Sequence, residues 1–296
     1  MINVSDQHGR AFEYIIAKTM QTKCHAVFST QTLTAQHRDE DKFHLLPCDL
    51  SQVFYEASVC LVSILRTRGY QLDGCNLERL PDSAAEAGDV TDIRISLLDG
   101  RTINLSIKNN HHALKHQRPP SLMQQLGFGK NSNQDLEYRR GLLSIYADFH
   151  KEAKKLVPAA VNFRDLDRIS SGFIADTLYR PVCAYVARAL TAYMDIESCC
   201  HTFFTFLVGN TDYTKVILSR GRLEIEEYNA IQKPRRCCVS FESTRPNYVF
   251  LDFDNNWRLS LRLHTAASAI SDTPSLKFDT QAISTPVPSQ SFPLRG

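Results

Sequence analysis

The sequence predicts an α+β fold, with a mixed β-sheet flanked by helices and a β-rich C-terminal part. Three patterns support this prediction: apolar stripes of helical spacing before residue 69, an alternating hairpin near residue 100, and closely spaced strands after residue 247. A chain of 296 residues can bury a sizeable core as one large domain or two small ones. We expect a single domain over 1–296, with one part over 1–156 that holds the hairpin and another over 157–296 that is first helical and then β-rich.

The first two predicted elements are amphipathic helices over 5–18 and 49–68. An apolar stripe runs through Phe12 and Ile15 on the first helix, and Gly69 ends the second. Both helices have an apolar face that a sheet can cover.

A loop over 81–88 leads into a predicted β-hairpin, whose strands over 93–98 and 101–108 flank the turn Asp99-Gly100. The segment from there to about residue 130 is polar and is interrupted by Pro119-Pro120. The remaining predicted elements are helices over 136–156 and 177–194, strands over 201–208, 214–218, 248–253 and 257–264, a turn over 254–256, and an extended tail from Ser284.

The composition, with 43% apolar and 22% charged residues, is typical of an ordinary globular protein. A protein that binds non-specifically as a polycation would be more basic than this chain, whose net charge is +2, but a local basic patch remains possible. We read no apolar run as long enough to span a membrane and no signal-peptide pattern at the N-terminus. Nine cysteines without a CxxC motif are expected to be reduced thiols in a cytoplasm, and the adjacent pairs Cys199-Cys200 and Cys237-Cys238 are assigned to packing.

The register of the hairpin follows from its apolar faces. A two-residue turn would pair Leu98 with Arg101 and send one apolar row into solvent. Pairing Leu98 with Thr102 instead keeps both rows on one face. We therefore expect a three-residue loop or a bulge, in which Gly100 supplies the positive φ.

That register places Asp92 opposite Lys108, with Ser106 on the same polar face. A carboxylate and the Ile107 carbonyl are hard oxygen ligands that suit Mg²⁺. A lysine beside them can stabilise negative charge on a phosphate or help to deprotonate a water. The basic side chains that follow, over 111–118, are of the kind that binds the phosphates of a nucleic-acid backbone.

This arrangement resembles the PD-(D/E)xK nuclease site, which has an acid at the start of one strand and then an acid, any residue and a lysine on the next. Here the first acid is Asp92 and the tripeptide is Ser106-Ile107-Lys108, so the second acid is missing. A surface hairpin with solvated polar residues would show the same short pattern.

Two longer blocks resemble the HaeIII-type family of type II restriction endonucleases. GDVTDIRI followed by LSIKNNHHALKHQRPPSL, within 88–122, is similar to the core motif of that family. NNWRLSLRLHTAASAISDTPSLKFDTQAIS, over 255–284, is similar to its C-terminal strand pair, and GRAFEY, over 9–14, to its first helix. Residues 141–245 can be matched to the family only by their order along the chain.

The resemblance implies a Mg²⁺-dependent endonuclease that cuts double-stranded DNA at a short palindrome, GGCC for the type enzyme, through a PD-(D/E)xK-type core. It also implies a companion cytosine methyltransferase, and a palindromic target favours a homodimer. Asp92 and Lys108 take the catalytic positions, and Ser106 takes the position of the usual second acid. Glu13 is the first candidate for the missing metal-binding carboxylate and Asp89 the next.

The remaining candidate residues would hold DNA, and they come from both predicted parts of the chain. The proposed contacts are His112, Lys115, His116, Arg118, Arg258 and Arg262, because basic side chains bind phosphates and arginine commonly reads guanine. Trp257 is expected in the core. His112 and His116 lack the intervening glutamate of a zinc protease motif.

Two other functions remain open at this stage. One is a DNA-binding module that does not cleave, which the missing second acid favours. The other is a repair or recombination nuclease of the same fold without strict sequence preference. Intact Asp92 and Lys108 argue against the first of these.

Overall fold

The computed structural model describes residues 4–81, 89–110, 112–157 and 162–294, with side chains from residue 7 onward. Nearly all of the loop expected over 81–88 therefore lies outside the described residues. The helices are α1 Val4–Cys24, α2 Thr30–His44, α3 Cys48–Thr67, α4 Leu122–Gln125, α5 Asn133–Leu156, α6 Phe163–Ile169, α7 Arg180–Tyr193 and α8 Glu197–Val208. A 3-10 turn covers Pro119–Ser121 and a π-helical turn covers Ala175–Tyr179.

The strands form two separate sheets. In chain order they are β1 Val27–Phe28, β2 Asn76–Arg79, β3 Ile93–Ser96, β4 Thr102–Asn109, β5 Lys115–Gln117, β6 Tyr213–Ser219, β7 Arg222–Tyr228, β8 Cys237–Ser240, β9 Tyr248–Phe253, β10 Arg258–Thr265, β11 Leu276–Ser284 and β12 Ser289–Pro293. The seven-stranded sheet has the order β1-β2-β3-β4-β6-β7-β12, and the five-stranded sheet has the order β5-β11-β10-β9-β8.

The chain divides into two compact units, and neither is continuous in sequence. The first comprises 1–112, 209–231 and 287–296, and the second comprises 113–208 and 232–286. The first unit contains the seven-stranded sheet, which is mixed because β1 runs parallel to β2 and β4 parallel to β6. The second contains the five-stranded antiparallel sheet and helices α4 to α8.

The core of the first unit lies between one face of its sheet and helices α1 and α3. Ile103, Leu105 and Ile107 line this face of β4, and the Phe12 and Phe54 rings of the two helices pack 5.1 Å apart, centroid to centroid. The odd-numbered positions of the hairpin therefore face the core, which confirms the predicted apolar face.

Helix α3 is long and apolar enough by composition to span a membrane, contrary to the expectation that no segment of the chain is. Its apolar residues have another role in this structure. Phe54, Ala57 and Leu61 are buried in the core of the first unit, which accounts for the length of the apolar stripe.

Several elements agree with prediction and others differ for identifiable reasons. The segment 201–208 was expected to be a strand, but it belongs to α8, because its buried residues Phe203, Phe204, Leu207 and Val208 recur at helical spacing. The polar segment after the hairpin contains β5, and the extended tail contains β12, which pairs with β7. Trp257 is in the core, as predicted.

The hairpin has the predicted matched faces, and its Leu97 N–H donates to the Arg101 carbonyl at 2.8 Å, which leaves the predicted three-residue loop over 98–100, but its register is shifted. Ile95 pairs with Ile103 and Ser96 with Thr102, so Leu98 is an exposed loop residue and does not pair with Thr102. The expected pairing was wrong by one residue on each strand because both registers satisfy the same apolar pattern. Gly100 has the predicted positive φ, at 85°.

Gly100→Ala is expected to destabilise the first unit by about 1 to 2 kcal/mol, because an L-residue at this φ suffers a steric penalty. A Cβ at Gly100 would meet no described atom within 4 Å, so the cost is confined to the backbone. Denaturant unfolding measures the change. The control is Gly129→Ala, at an equally open position without a positive φ. Equal losses in the two variants would contradict the assignment of strain to Gly100.

Candidate active site

Asp92 lies immediately before β3, and backbone hydrogen bonds hold it on both sides. Its N–H donates to the Leu105 carbonyl at 2.8 Å, and its carbonyl accepts from the Leu80 N–H at 3.0 Å. The side-chain Oδ2 accepts from the Ile107 N–H at 2.6 Å. The carboxylate is therefore fixed at the place where β3 begins beside β4.

The structure brings the three predicted catalytic side chains together around this carboxylate. Lys108 Nζ lies 3.3 Å from Asp92 Oδ2, and Ser106 Oγ lies 3.4 Å from the same atom. Extending the observed register by one pair places Asp92 opposite Ser106, so the expected pairing with Lys108 was wrong. The lysine reaches the carboxylate from the next position along the same face of β4.

Glu13 is a second carboxylate whose pKa depends on the Asp92 charge. It lies on α1, is buried, and accepts hydrogen bonds on Oε2 from Arg79 at 2.7 Å and Arg10 at 3.2 Å. Burial raises the pKa of Glu13, and the Asp92 charge raises it further, whereas the two arginines lower it. A cation shared by the two carboxylates would remove this repulsion.

Asp89, the other candidate, is engaged elsewhere. Its Oδ2 accepts a hydrogen bond from Arg94 at 2.6 Å, and its Oδ1 accepts from the Thr91 N–H at 3.0 Å. These contacts hold the segment of chain that leads into β3. Glu13 is paired with arginines too, but of the two acids it is the one whose pKa the Asp92 charge raises, so it remains the first candidate for a shared metal ion.

The donor set fits Mg²⁺. Within the described ranges no three His, Cys, Asp or Glu side chains gather as a ready cation cage. Mg²⁺ commonly binds through one or two carboxylates and keeps several waters, so Glu13, Asp92 and the Ile107 carbonyl are a sufficient set of hard oxygens. These are the residues that would hold the ion.

Strands β6 and β7, the next two in the sheet after β4, each add one residue that was not singled out from the sequence. Lys215 on β6 pairs with Ser106, and Glu226 on β7 pairs with Lys215, so a polar row crosses the sheet from Asp92. Lys215 is buried, and its Nζ donates to the His112 carbonyl at 2.7 Å and lies 3.5 Å from Glu226. The only sequence signal was a lysine within an otherwise apolar strand.

Burial lowers the pKa of Lys215 to about 8, and the nearby Lys108 charge contributes. Between pH 8 and 10.5 the unfolded chain therefore holds more protons at this site than the folded one, so stability should rise with pH there. Relative to Lys215→Met, the wild type should gain on the order of 3 kcal/mol over this window, measured by urea unfolding at a series of pH values. A difference between wild type and Lys215→Met that does not change with pH would contradict the shift.

The predicted DNA-contacting residues of the basic segment have different surroundings. In the first unit, His112 Nδ1 lies 3.9 Å from Glu224. In the second unit, the Lys115 ammonium lies 4.2 Å from the centre of the Phe206 ring, and burial lowers its pKa. Arg118 is exposed and donates to Ser275 Oγ at 2.9 Å. Arg118 is therefore more accessible to a phosphate than Lys115.

The other predicted contacts lie on the five-stranded sheet. Arg258 and Arg262 point to its exposed face from β10. Arg258 Nε lies 3.2 Å from Asp252, and His116 on β5 lies 2.5 Å from Asp279. These residues share one face of one sheet, and their contact with DNA remains a prediction.

The comparisons with known proteins identify the family. The family model described as HaeIII restriction endonuclease matches residues 9–231 and 224–286. The type II restriction enzyme HaeIII of Haemophilus aegyptius is 24% identical to this chain, over 97% of the chain and 96% of the relative. No solved structure matches. Because the family model covers most of the chain, from the first helix to the C-terminal strand pair, the chain belongs to the HaeIII restriction endonuclease family.

Proposed function

We propose that this protein is a type II restriction endonuclease that hydrolyses phosphodiesters of double-stranded DNA with Mg²⁺, through a PD-(D/E)xK-type core. The observation that supports this best is the position of the Asp92 carboxylate, which accepts a hydrogen bond from the Ile107 N–H and lies next to Lys108. The Asp92 charge also raises the pKa of Glu13. The proposed target is a short palindrome, GGCC as the family resemblance implies.

Each residue has a separate role in this reaction. Asp92, Glu13 and the Ile107 carbonyl hold the ion, and bound Mg²⁺ would lower the pKa of a water and neutralise phosphate charge. Lys108 stabilises the charge that develops on the phosphate as water attacks phosphorus and the bond to the 3′-oxygen breaks. The products carry a 5′-phosphate and a 3′-hydroxyl. Ser106 contacts Asp92 and restricts its orientation.

A palindromic target also favours a homodimer, in which two copies of the site face the two strands. The natural setting of such an enzyme is the cytoplasm, beside a cytosine methyltransferase that protects host DNA. Both partners follow from the proposed function and not from a surface described above.

Digestion of plasmid DNA in Mg²⁺ distinguishes the candidate functions. Discrete bands support a restriction enzyme, and sequencing the ends gives the target and the cut position. A smear would indicate a non-specific repair nuclease. Unchanged DNA together with a stable complex would indicate a binding module, the function that the missing acid at Ser106 favours. The same digest with EDTA should show no cleavage.

Ser106→Ala is expected to slow cleavage by less than about tenfold, because the hydroxyl makes one long contact with Asp92. Ser106→Glu rebuilds the usual acid of the nuclease motif and should be tolerated if the position faces the metal. Single-turnover rates in Mg²⁺ measure both variants, with Ser96→Ala on β3 as the control. A loss in Ser106→Ala as large as that in Lys108→Ala would contradict the minor role given to this hydroxyl.

A further inference from the structure

Asp279, one of the carboxylates on the exposed face of the five-stranded sheet, has three basic side chains around it. Asp279 Oδ1 lies 2.5 Å from His116 Nδ1, and Oδ2 lies 3.1 Å from His264 Nε2. An Arg262 guanidinium nitrogen lies 3.9 Å from Oδ2. We call these four residues, His116, Arg262, His264 and Asp279, the Asp279 cluster.

Strand register creates this cluster. Asp279 on β11 is directly opposite His116 on β5 and Arg262 on β10, and Arg262 is opposite Tyr248 on β9. The row across the sheet therefore consists of His116, Asp279, Arg262 and Tyr248. Adjacent strands are about 4.8 Å apart, so this row spans about 14 Å. That length is close to the width of the DNA major groove, about 12 Å.

The exposure of the side chains separates their possible roles. His116 and Arg262 are 47% and 45% exposed, whereas Asp279 is only 16% exposed. Donor groups therefore project from the face, and the carboxylate lies recessed between them. Burial alone would raise the pKa of Asp279, but the hydrogen bond from His264 and the charges of His116, His264 and Lys277 lower it.

Both sequence blocks that carry the family resemblance contribute to the cluster. His116 belongs to the first block, over 105–122, and Arg262, His264 and Asp279 belong to the second, over 255–284. The two blocks are far apart in sequence, and the pairing of β5 with β11 joins them.

We propose that Asp279 is a positioning residue for sequence recognition: it holds the His116 imidazole and orients the Arg262 guanidinium so that both can bind base edges in the major groove. This inference rests on the proposed function and deepens it. Arginine recognises guanine with a fixed fork of donors, and a carboxylate that holds the side chain in place reduces the entropy lost on binding. The recessed carboxylate itself adds nothing to phosphate attraction, because its charge has the same sign.

If Asp279 has this role, its removal should affect binding to the recognised sequence and binding to other sequences differently. Asp279→Asn should weaken binding to the recognised sequence, because the donors lose their anchor. It should leave binding to other sequences unchanged or slightly tighter, because a negative charge near DNA is removed. A merely structural role would lower both affinities together.

The test measures binding in Ca²⁺, which separates recognition from cleavage. The probe is the duplex that the wild type selects from a random pool, compared with the same duplex after one base-pair change. For Asp279→Asn we expect the ratio of the two affinities to fall by about 10- to 100-fold, the effect of losing one base contact. The control, Asp176→Asn, removes another acid of the second unit that pairs with an arginine, 2.8 Å from Arg180, and should keep the ratio.

An unchanged ratio in Asp279→Asn, or an equal loss on both duplexes, overturns the proposal. If thermal melting shows that this variant is unfolded, His116→Gln removes the imidazole but keeps the carboxylate, and an unchanged ratio there overturns it as well. A wild type that selects a sequence in Ca²⁺ but never cuts in Mg²⁺ contradicts the nuclease and leaves this inference standing. A wild type without any preference overturns both.

Discussion

Lys108→Ala is expected to lower the rate of DNA cleavage by about 10² to 10³ while specific binding in Ca²⁺ stays within a few fold of wild type. The Lys108 ammonium lies 3.3 Å from Asp92 and is partly exposed, so it can face a phosphate bound at that carboxylate. The phosphodiester is already an anion, but additional negative charge develops on it in the transition state, and an interaction with that additional charge contributes to the rate more than to ground-state affinity. Single-turnover cleavage and Ca²⁺ binding measure the two effects separately.

Lys18→Ala, at an exposed lysine of α1, is the control and should cut like the wild type. Asp92→Ala should be at least as damaging as Lys108→Ala, because it removes a metal ligand and the acceptor for the Ile107 N–H. Wild-type cleavage by Lys108→Ala would show that the proposed site is wrong and that the hairpin only presents a polar surface.

Arg79→Met is expected to lower the free energy of unfolding by about 3 kcal/mol, because it removes the buried guanidinium that Glu13 and Asp39 share. Arg10 remains beside Glu13, and Arg38 and Lys42 remain beside Asp39, so the loss falls at the low end of the range for breaking a buried ion pair. Arg79 is almost fully buried, and its guanidinium lies 2.7 Å from Glu13, 2.8 Å from Asp39 and 3.0 Å from Gln36. The methionine fills most of the volume, so the loss reports the missing guanidinium charge and its hydrogen bonds and not a cavity. Denaturant unfolding gives the value.

Arg66→Met tests the same change at the surface. Arg66 pairs with Asp73 at 3.1 Å, and both side chains are largely exposed, so the expected loss is about 1 kcal/mol or less. Equal, small losses in the two variants would show that Arg10, Arg38 and Lys42 are enough to compensate the acids beside Arg79.

The same buried network explains why part of the fold could not be predicted from sequence. Helix α2 has no apolar stripe, because its buried positions are Thr32, Gln36 and Asp39. Their partners lie on α1 and β2, for example the Tyr14 carbonyl for Gln36 and the Leu77 carbonyl for Thr32. Hydrophobic periodicity cannot reveal a helix that polar contacts anchor.

Helices α1, α3 and α5 and the strands of the hairpin could be predicted, since each buries an apolar face of regular period. Local pattern was also enough to bring Asp92, Ser106 and Lys108 to one place, because they lie on adjacent strands. Local pattern could not supply Lys215, which reaches the site through a parallel pairing between β4 and β6. Asp279 was missed for a similar reason, since its partners come from two other strands.

The parallel pairing of β4 with β6 has a consequence for how the protein is made. The ribosome releases Asp92 and Lys108 long before β6 and β7, because the segment 113–208 of the second unit is synthesised between them. Until then β4 is the edge of an incomplete sheet, with backbone groups free to pair with another chain. Closing a loop of this length is entropically costly and favours slow folding. A nascent chain that stalls before residue 209 would therefore contain the whole catalytic motif but lack the strand that completes its sheet, so a truncated product should aggregate and should not cut host DNA.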